Sequence, residues 1–323
     1  MAAASSAVGQ PQSQPQMPSQ SISSPGQATA PTALGKYVRM RHLQASELPA
    51  HPAIAPLQSS GTPPNLHQFL VEVLEEAEAF MIGYLPLKFK VKSSSKSSPP
   101  ATASVELLTH EINAADIPKE ARTAGAGSAV ETWFARTSVH ENAAKEGTAS
   151  WEEFDRGLRA DHSQHEMEYT PDVQDAHLLL SWHEAMDSFG QRVGTWEDVG
   201  MSVVEMVHHI PPPLNDRVFP ELVITARKAG ELLVVQIPVE IKGMQGAAYN
   251  SNKTRKLQDG MYCSIERAEL LDGGANVKWQ MATASDAKGI LPMWMQKMGV
   301  PGAVVKDVGL FIGWTGKKRQ GKA

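Results

Sequence analysis

The first residues whose types and spacing could do chemistry are Asp161-His162-Ser163-Gln164-His165-Glu166. Two histidines three apart with flanking carboxylates supply donors that a zinc site uses, but the HExxH order and a clear third ligand are missing. The run reads instead as a solvated helix end leading into the turn Thr170-Pro171-Asp172. His208-His209 closes a strand-like segment, where neighbouring side chains point to opposite faces, so one is expected to be packed and the other exposed. Cys263 is the single cysteine. Mid-strand and with no histidine partner in sequence, it reads as a buried inert thiol rather than a nucleophile, and it rules out an internal disulfide. No GxSxG, CxxC, Walker or dinucleotide fingerprint occurs. No catalytic residue, metal ligand or cofactor is assigned, and the protein is not expected to be an enzyme.

Glu205 stands out for a different reason. In TWEDVGMSVVEMVHH it alternates with Val199, Met201, Val203 and Val207, which puts a carboxylate on the apolar face of a strand. A carboxylate there needs a partner or a shifted pKa. Arg217, in the loop after this strand, and Arg227, at the end of the next, are the candidate partners. Either the carboxylate orients a ligand or it forms a salt bridge at the edge of the core.

The elements that position these residues fall into a recognisable series. The chain has 323 residues and a net charge of −5, with a pI near 6.1; that balance does not suggest a nucleic-acid partner. No run approaches the ~18 apolar residues of a membrane span and no secretory leader is visible, so a cytoplasmic location is expected. Residues 1–35 are rich in Ala, Ser, Pro and Gln and are expected to form a disordered arm. Residues 36–316 are expected to form one domain, with a low-complexity surface insert around 93–128, and 317–323 a basic flexible tail. Asn65 caps a helix carrying Leu66, Phe69, Leu70, Val73, Leu74, Ala77, Phe80 and Met81 at helical spacing. Strands are expected at 87–92, 131–139 and 176–182, with a short helix after the Ser150-Trp151-Glu152-Glu153 capping pattern.

From Trp196 the spacing is all β: 196–208, 219–227, 231–241, 261–270 and 277–283. In the fourth, Met261, Cys263 and Ile265 oppose Tyr262, Ser264 and Glu266; in the fifth, Val277, Trp279 and Met281 oppose Lys278 and Gln280. Each has one apolar and one wet face. The chain then closes with a helix, expected as two pieces, 288–298 and 301–315, broken at Gly299-Val300-Pro301-Gly302. Val304, Val308, Phe311 and Ile312 make its apolar stripe, and Gly302, Gly309 and Gly313 would allow close approach of whatever it covers.

The order of motifs resembles the START lipid-transfer family of the helix-grip fold from about Trp151 to Trp314, and 36–314 resembles an uncharacterised, mainly fungal START-like family. The segment Glu153 to Val173, with Tyr169-Thr170-Pro171-Asp172, is similar to the family's "W-D-x-x-V" turn. Residues 210–219, IPPPLNDRVF, resemble its "P-x-x-x-R-D-F" crossing, with Val218 in place of Asp. Tyr262 to Glu266 falls where a "Y-x-R-x-E" strand is expected, and Ser285 to Trp294 is similar to its "D-x-x-G-x-x-P-x-W" helix start.

The resemblance implies an α+β helix-grip fold: a curved antiparallel sheet wrapped around a long C-terminal helix, plus an N-terminal helix, with a cavity for one hydrophobic small molecule or lipid. Periodicity alone fits a solid core equally well. Expected ligand-binding residues are Met201, Val203, Glu205, Arg217, Val223 and Arg227 on the earlier strands and Cys263, Ile265, Trp279 and Met281 on the later ones. Leu291, Trp294, Met298, Val304 and Val308 are expected to contribute from the helix. The hinge at 299–302 or the polar loop 242–260 would be a gate, and that loop suits transient contact with an anionic membrane surface. An enzyme using the same cavity, or an interaction scaffold with a filled core, is the alternative reading.

Overall fold

A computed structural model describes residues 34–58, 61–119, 130–212, 214–249, 257–286 and 293–322, without side chains for 293–298. The expected arm, apart from Leu34 and Gly35, and Leu291 lie outside the described residues, as do the side chains of Trp294 and Met298.

The chain runs α1 (Leu66–Ala79), α2 (Leu85–Lys88), β1 (Lys90–Lys96), β2 (Val105–Ile112), β3 (Glu131–Glu141), α3 (Trp151–Phe154), α4 (His162–Tyr169), β4 (Val173–Ser181), α5 (His183–Asp187), β5 (Glu197–His208), β6 (Arg217–Lys228), β7 (Glu231–Pro238), β8 (Gln258–Asp259), β9 (Met261–Leu271), β10 (Asn276–Asp286) and α6 (Met293–Arg319). The sheet has ten strands in the order β1-β2-β3-β10-β9-β7-β6-β5-β4, with β8 pairing alongside β6. All neighbours on that path are antiparallel, and β8 is parallel to β6. The long connection from β3 to β4 carries the chain through α3 and α4 to the far edge.

One face of the sheet, the outer one, is sealed by the N-terminal segment and α1. Asn65 Oδ1 accepts the Gln68 N–H at 3.0 Å, which satisfies one of the orphan donors of the first turn. Phe69, Leu70, Val73, Leu74 and Ala77 of α1 then pack with Leu222, Ile224, Leu233, Val235, Cys263 and Ile265. Glu76 of α1 accepts the backbone N–H groups of Lys36, Tyr37 and Val38, fastening the preceding chain. The inner face carries α6, whose Val308, Phe311, Ile312 and Trp314 pack with Phe154, Leu158, Val223, Val234 and Trp279. Because β6 and β7 are covered on both faces, their side chains are apolar in both parities, as burial on two sides requires.

Several boundaries differ from the sequence reading. Residues 105–112 of the supposed surface insert form β2, a strand between β1 and β3; VELLTHEI is short, and the small polar residues around it dilute its signal in any longer window. Leu87 belongs to a helical turn, and the strand expected from it begins at Lys90 and continues into the serine run. The C-terminal helix is continuous over its described length, passing through Pro301, and Lys317-Lys318-Arg319 are its last turn rather than a flexible tail. Lys318 pairs with Glu168 at 2.8 Å and Arg319 with Glu153 at 3.0 Å. Close approach is real at Gly309, though not to the sheet. A β-carbon there would lie 2.4 Å from the Pro99 carbonyl oxygen, and Ser98 Oγ both accepts the Gly309 N–H at 2.8 Å and donates to the Val305 carbonyl at 2.6 Å.

Candidate ligand cavity

Towards its C-terminal end, α6 rests on a solid aromatic cluster. Phe311 lies 5.1 Å from Trp279, 5.2 Å from Phe154 and 5.9 Å from Trp314, measured between ring centroids. Nearer its start the packing opens into a cavity of about 360 Å³ between α6, α4 and the inner face. Met206 of β5, Phe219 of β6, Trp279 and Met281 of β10, and Val300, Val304 and Leu310 of α6 supply its apolar walls.

Its remaining wall is polar and buried. Arg136 of β3 donates from Nη2 to Glu266 Oε1 of β9 at 3.0 Å, with side chains only 1% and 7% exposed, and its guanidinium carbon lies 3.8 Å from the centroid of Trp279. The amide of Gln236 on β7 donates to Glu221 of β6 at 2.9 Å and to Glu166 of α4 at 3.4 Å. Ser264 donates to the same amide's oxygen at 2.5 Å, fixing which way it points. His162 uses Nδ1 on the Leu158 carbonyl at 2.6 Å, which leaves Nε2 facing Glu166 Oε2 at 3.5 Å. Arg136 Nε and Nη1 and Glu266 Oε2 have no hydrogen-bond partner among the described residues.

Taking these groups out of water sets their ionisation. Burial, then the Glu266 charge, pushes Glu166 up to about 7. Burial, then Glu166, pushes Glu221 well above the usual carboxylate range, and burial is also what carries Asp307 of α6 up to about 7. The same cause lowers His162 and brings His208 down to about 4, so both imidazoles are neutral at pH 7.

The residues expected to bind ligand divide between the two faces. Trp279, Met281 and Val304 line the cavity. Val223 and Val308 face the same side but are packed into the core around α6. Met201, Val203, Cys263 and Ile265 lie on the outer face, in the core beneath α1 and the N-terminal segment. Cys263 is a buried free thiol there, its pKa pushed well up by burial. Glu205 is fully buried on that outer side, and neither arginine is its partner: it accepts the N–H of Ala248 at 2.7 Å and of Tyr249 at 3.0 Å, pinning the loop after β7. Arg217 is buried at the start of β6 and donates to the Asn215 carbonyl, while Arg227 reaches Asp198 at 2.7 Å and Asp155 at 3.5 Å.

The correction has a simple cause. In β9 the wet face, Tyr262, Ser264 and Glu266, is the one turned to the cavity, and the apolar face is the one under α1. Alternation separates the faces of a strand but does not say which has the ligand. The segment 161–166, read as solvated, instead starts α4 with His162 buried and Glu166 in the cavity wall. His208 packs edge-on to Phe219 while His209 is exposed and pairs with Asp216 at 2.9 Å, the split expected for that pair. Arg136, Glu166, Glu221, Gln236, Glu266 and Asp307 were missed. A signal exists for two of them: Glu221 and Gln236 interrupt runs that are otherwise apolar on both faces, and a polar group buried there requires partners.

An antiparallel sheet closed over a long C-terminal helix, with a cavity between the two, is a helix-grip α+β fold. Within that class the chain belongs to the family described as "Protein of unknown function (DUF3074)", whose pattern matches residues 133–315, more than half of the 323. No curated protein matches the sequence. Among solved structures the chain is similar to human STARD10, at 13% identity over 81% of this chain and 85% of that one, with a TM-score of 0.48. It is similar to human StAR-related lipid transfer protein 5 at 12% identity over 78% and 95%, TM-score 0.47. A third is the lipid transfer and protein localization domain of human StarD13, at 13% over 77% and 98%, TM-score 0.40. The fold assignment rests on the strand order and α6, not on these alignments. Among the described residues no helix is long and apolar enough to cross a membrane.

Proposed function

We propose that this protein binds a hydrophobic small molecule or lipid in the cavity between the sheet and α6, and carries it without converting it. The observation behind this reading is a cavity of about 360 Å³ walled by Met206, Phe219, Trp279, Met281 and Val304 beside a solidly packed aromatic cluster. That volume falls in the ~300–1,000 Å³ range of small-molecule pockets, which are mostly apolar with a few placed polar groups. Glu166 and Glu221 share one amide donor, Gln236. Such an arrangement suits an anchor for a head group better than an acid and a base set on two sides of a reacting bond. Gly299 and Val300, at the rim, are the proposed gate, with the loop from Lys242 a second candidate and a transient membrane contact its companion proposal.

Native mass spectrometry of the protein purified from cells tests the reading, with the same measurement on Met281→Trp, which fills the cavity. A stoichiometric apolar adduct, lost in the variant, is expected. An adduct-free mass, together with failure to take up an apolar fluorescent probe, would overturn it.

A further inference from the structure

The cavity's polar wall carries more acidic than basic groups. Glu166, Asp172, Glu221, Glu266 and Asp307 line it against one guanidinium within, Arg136, which is already paired with Glu266 and lies over Trp279. Arg136 keeps Nε and Nη1 without a partner among the described residues, but its charge is already balanced by Glu266; the other lining cation, Lys306, is on the exposed side of α6. The carboxyl groups outnumber that guanidinium and are underused as well. Each can accept about four hydrogen bonds, yet Glu266, 5% exposed, keeps Oε2 without a partner among the described residues. Glu221 and Glu166 are held on the two N–H bonds of a single amide. Ser264, hydrogen-bonded to that amide, is two residues from Glu266 on the same strand face, so the three carboxyl groups converge on one wall. Tyr262 and Trp279 add aromatic faces, which attract cations.

We propose that the head group seated here is a cation, an ammonium on an apolar body, held by Glu221, Glu166 and the free oxygen of Glu266; this rests on the ligand-carrying reading above. An ammonium offers three donors and no acceptor, the complement of three carboxyl groups. With no cation present, burial raises Glu221 well above the usual carboxylate range and brings Glu166 up to about 7, so an ammonium seated among them favours their charged forms and expels protons from the wall. The other titratable groups lining the cavity are Arg136, His162, Tyr169, Asp172, His208, His209, Tyr262, Glu266, Lys306 and Asp307.

Isothermal titration of the full chain with decylamine, decanol and decanoate at pH 7, in two buffers of different ionisation enthalpy, tests this. Decylamine is expected to bind at least ten-fold more tightly than decanol, with proton release, and decanoate most weakly. Glu221→Gln and Glu166→Gln are each expected to cut the amine-to-alcohol ratio about ten-fold, and either variant suffices if the other fails to fold. Equal binding of decanol and decylamine would overturn the cationic head and leave the cavity reading standing. No binding of any probe would overturn both.

Discussion

The guanidinium of Arg136 lies over Trp279, its carbon 3.8 Å from the ring centroid, in the wall of the cavity. It is held there by Glu266 at 3.0 Å, across two strands that both flank β10. Removing one partner of such a buried pair strands the other charge, which costs about 3–5 kcal/mol, whereas removing both is far milder. Arg136→Met should therefore lower stability to urea by roughly that amount, and adding Glu266→Gln should recover most of it. A loss under about 1 kcal/mol for the single variant would mean that the pair is not buried as described.

Glu205 is expected to hold a loop and not a ligand. Its carboxylate accepts two backbone N–H groups from Ala248 and Tyr249, and hydrogen bonds to a charged group contribute about 1.5–3 kcal/mol each. Glu205→Gln should lose about that much stability and hasten proteolysis within 242–249, with probe affinity unchanged. Unchanged stability with weakened binding would return Glu205 to the ligand.

Glu166 makes folding stability depend on pH in a direction opposite to a salt-bridged carboxylate. Its folded pKa, about 7, is above its ordinary value of 4.5, so the native state binds the extra proton. The stability this contributes is present at low pH and is lost as pH rises through 7. His140 and His208, both lowered to about 4 by burial, act the other way, adding stability as pH rises from about 4 to 6.5 and little above it. Comparing wild type with Glu166→Gln cancels the histidines: from pH 6 to 8 the wild type should lose roughly 1.4 kcal/mol relative to the variant. Parallel stability profiles would place Glu166 in contact with bulk water.

Gly309→Ala tests how α6 is docked. The added carbon would meet the carbonyl oxygens of Pro99 at 2.4 Å and Ser98 at 2.6 Å, backbone atoms that cannot swing aside. Overpacking of this kind costs about 1–3 kcal/mol, read as a lower Tm. Gly302→Ala, where a β-carbon meets nothing within 4 Å, should be neutral or slightly stabilising, because Ala is the better helix former.

Local pattern carried the secondary structure: the Asn65 cap with its apolar repeat, the alternation in β5, β9 and β10, and the stripe Val304, Val308, Phe311, Ile312 are each properties of a few adjacent residues. The order of these elements was enough to read a sheet closed on a terminal helix. Trp279, Met281 and Val304 could be named because they lie on the apolar faces of elements that do line the cavity. What tertiary structure alone decided was which side of each strand meets it. Alternation distinguishes two faces but is blind to what covers them, so once α1 sealed the outer side, Cys263 and Ile265 were core and Tyr262 and Glu266 were wall. Nor could spacing reveal that Arg136, Glu166, Glu221, Gln236 and Glu266 meet. They come from β3, α4, β6, β7 and β9, and only the closing of the sheet on α4 and α6 brings their side chains within hydrogen-bonding and Coulombic range.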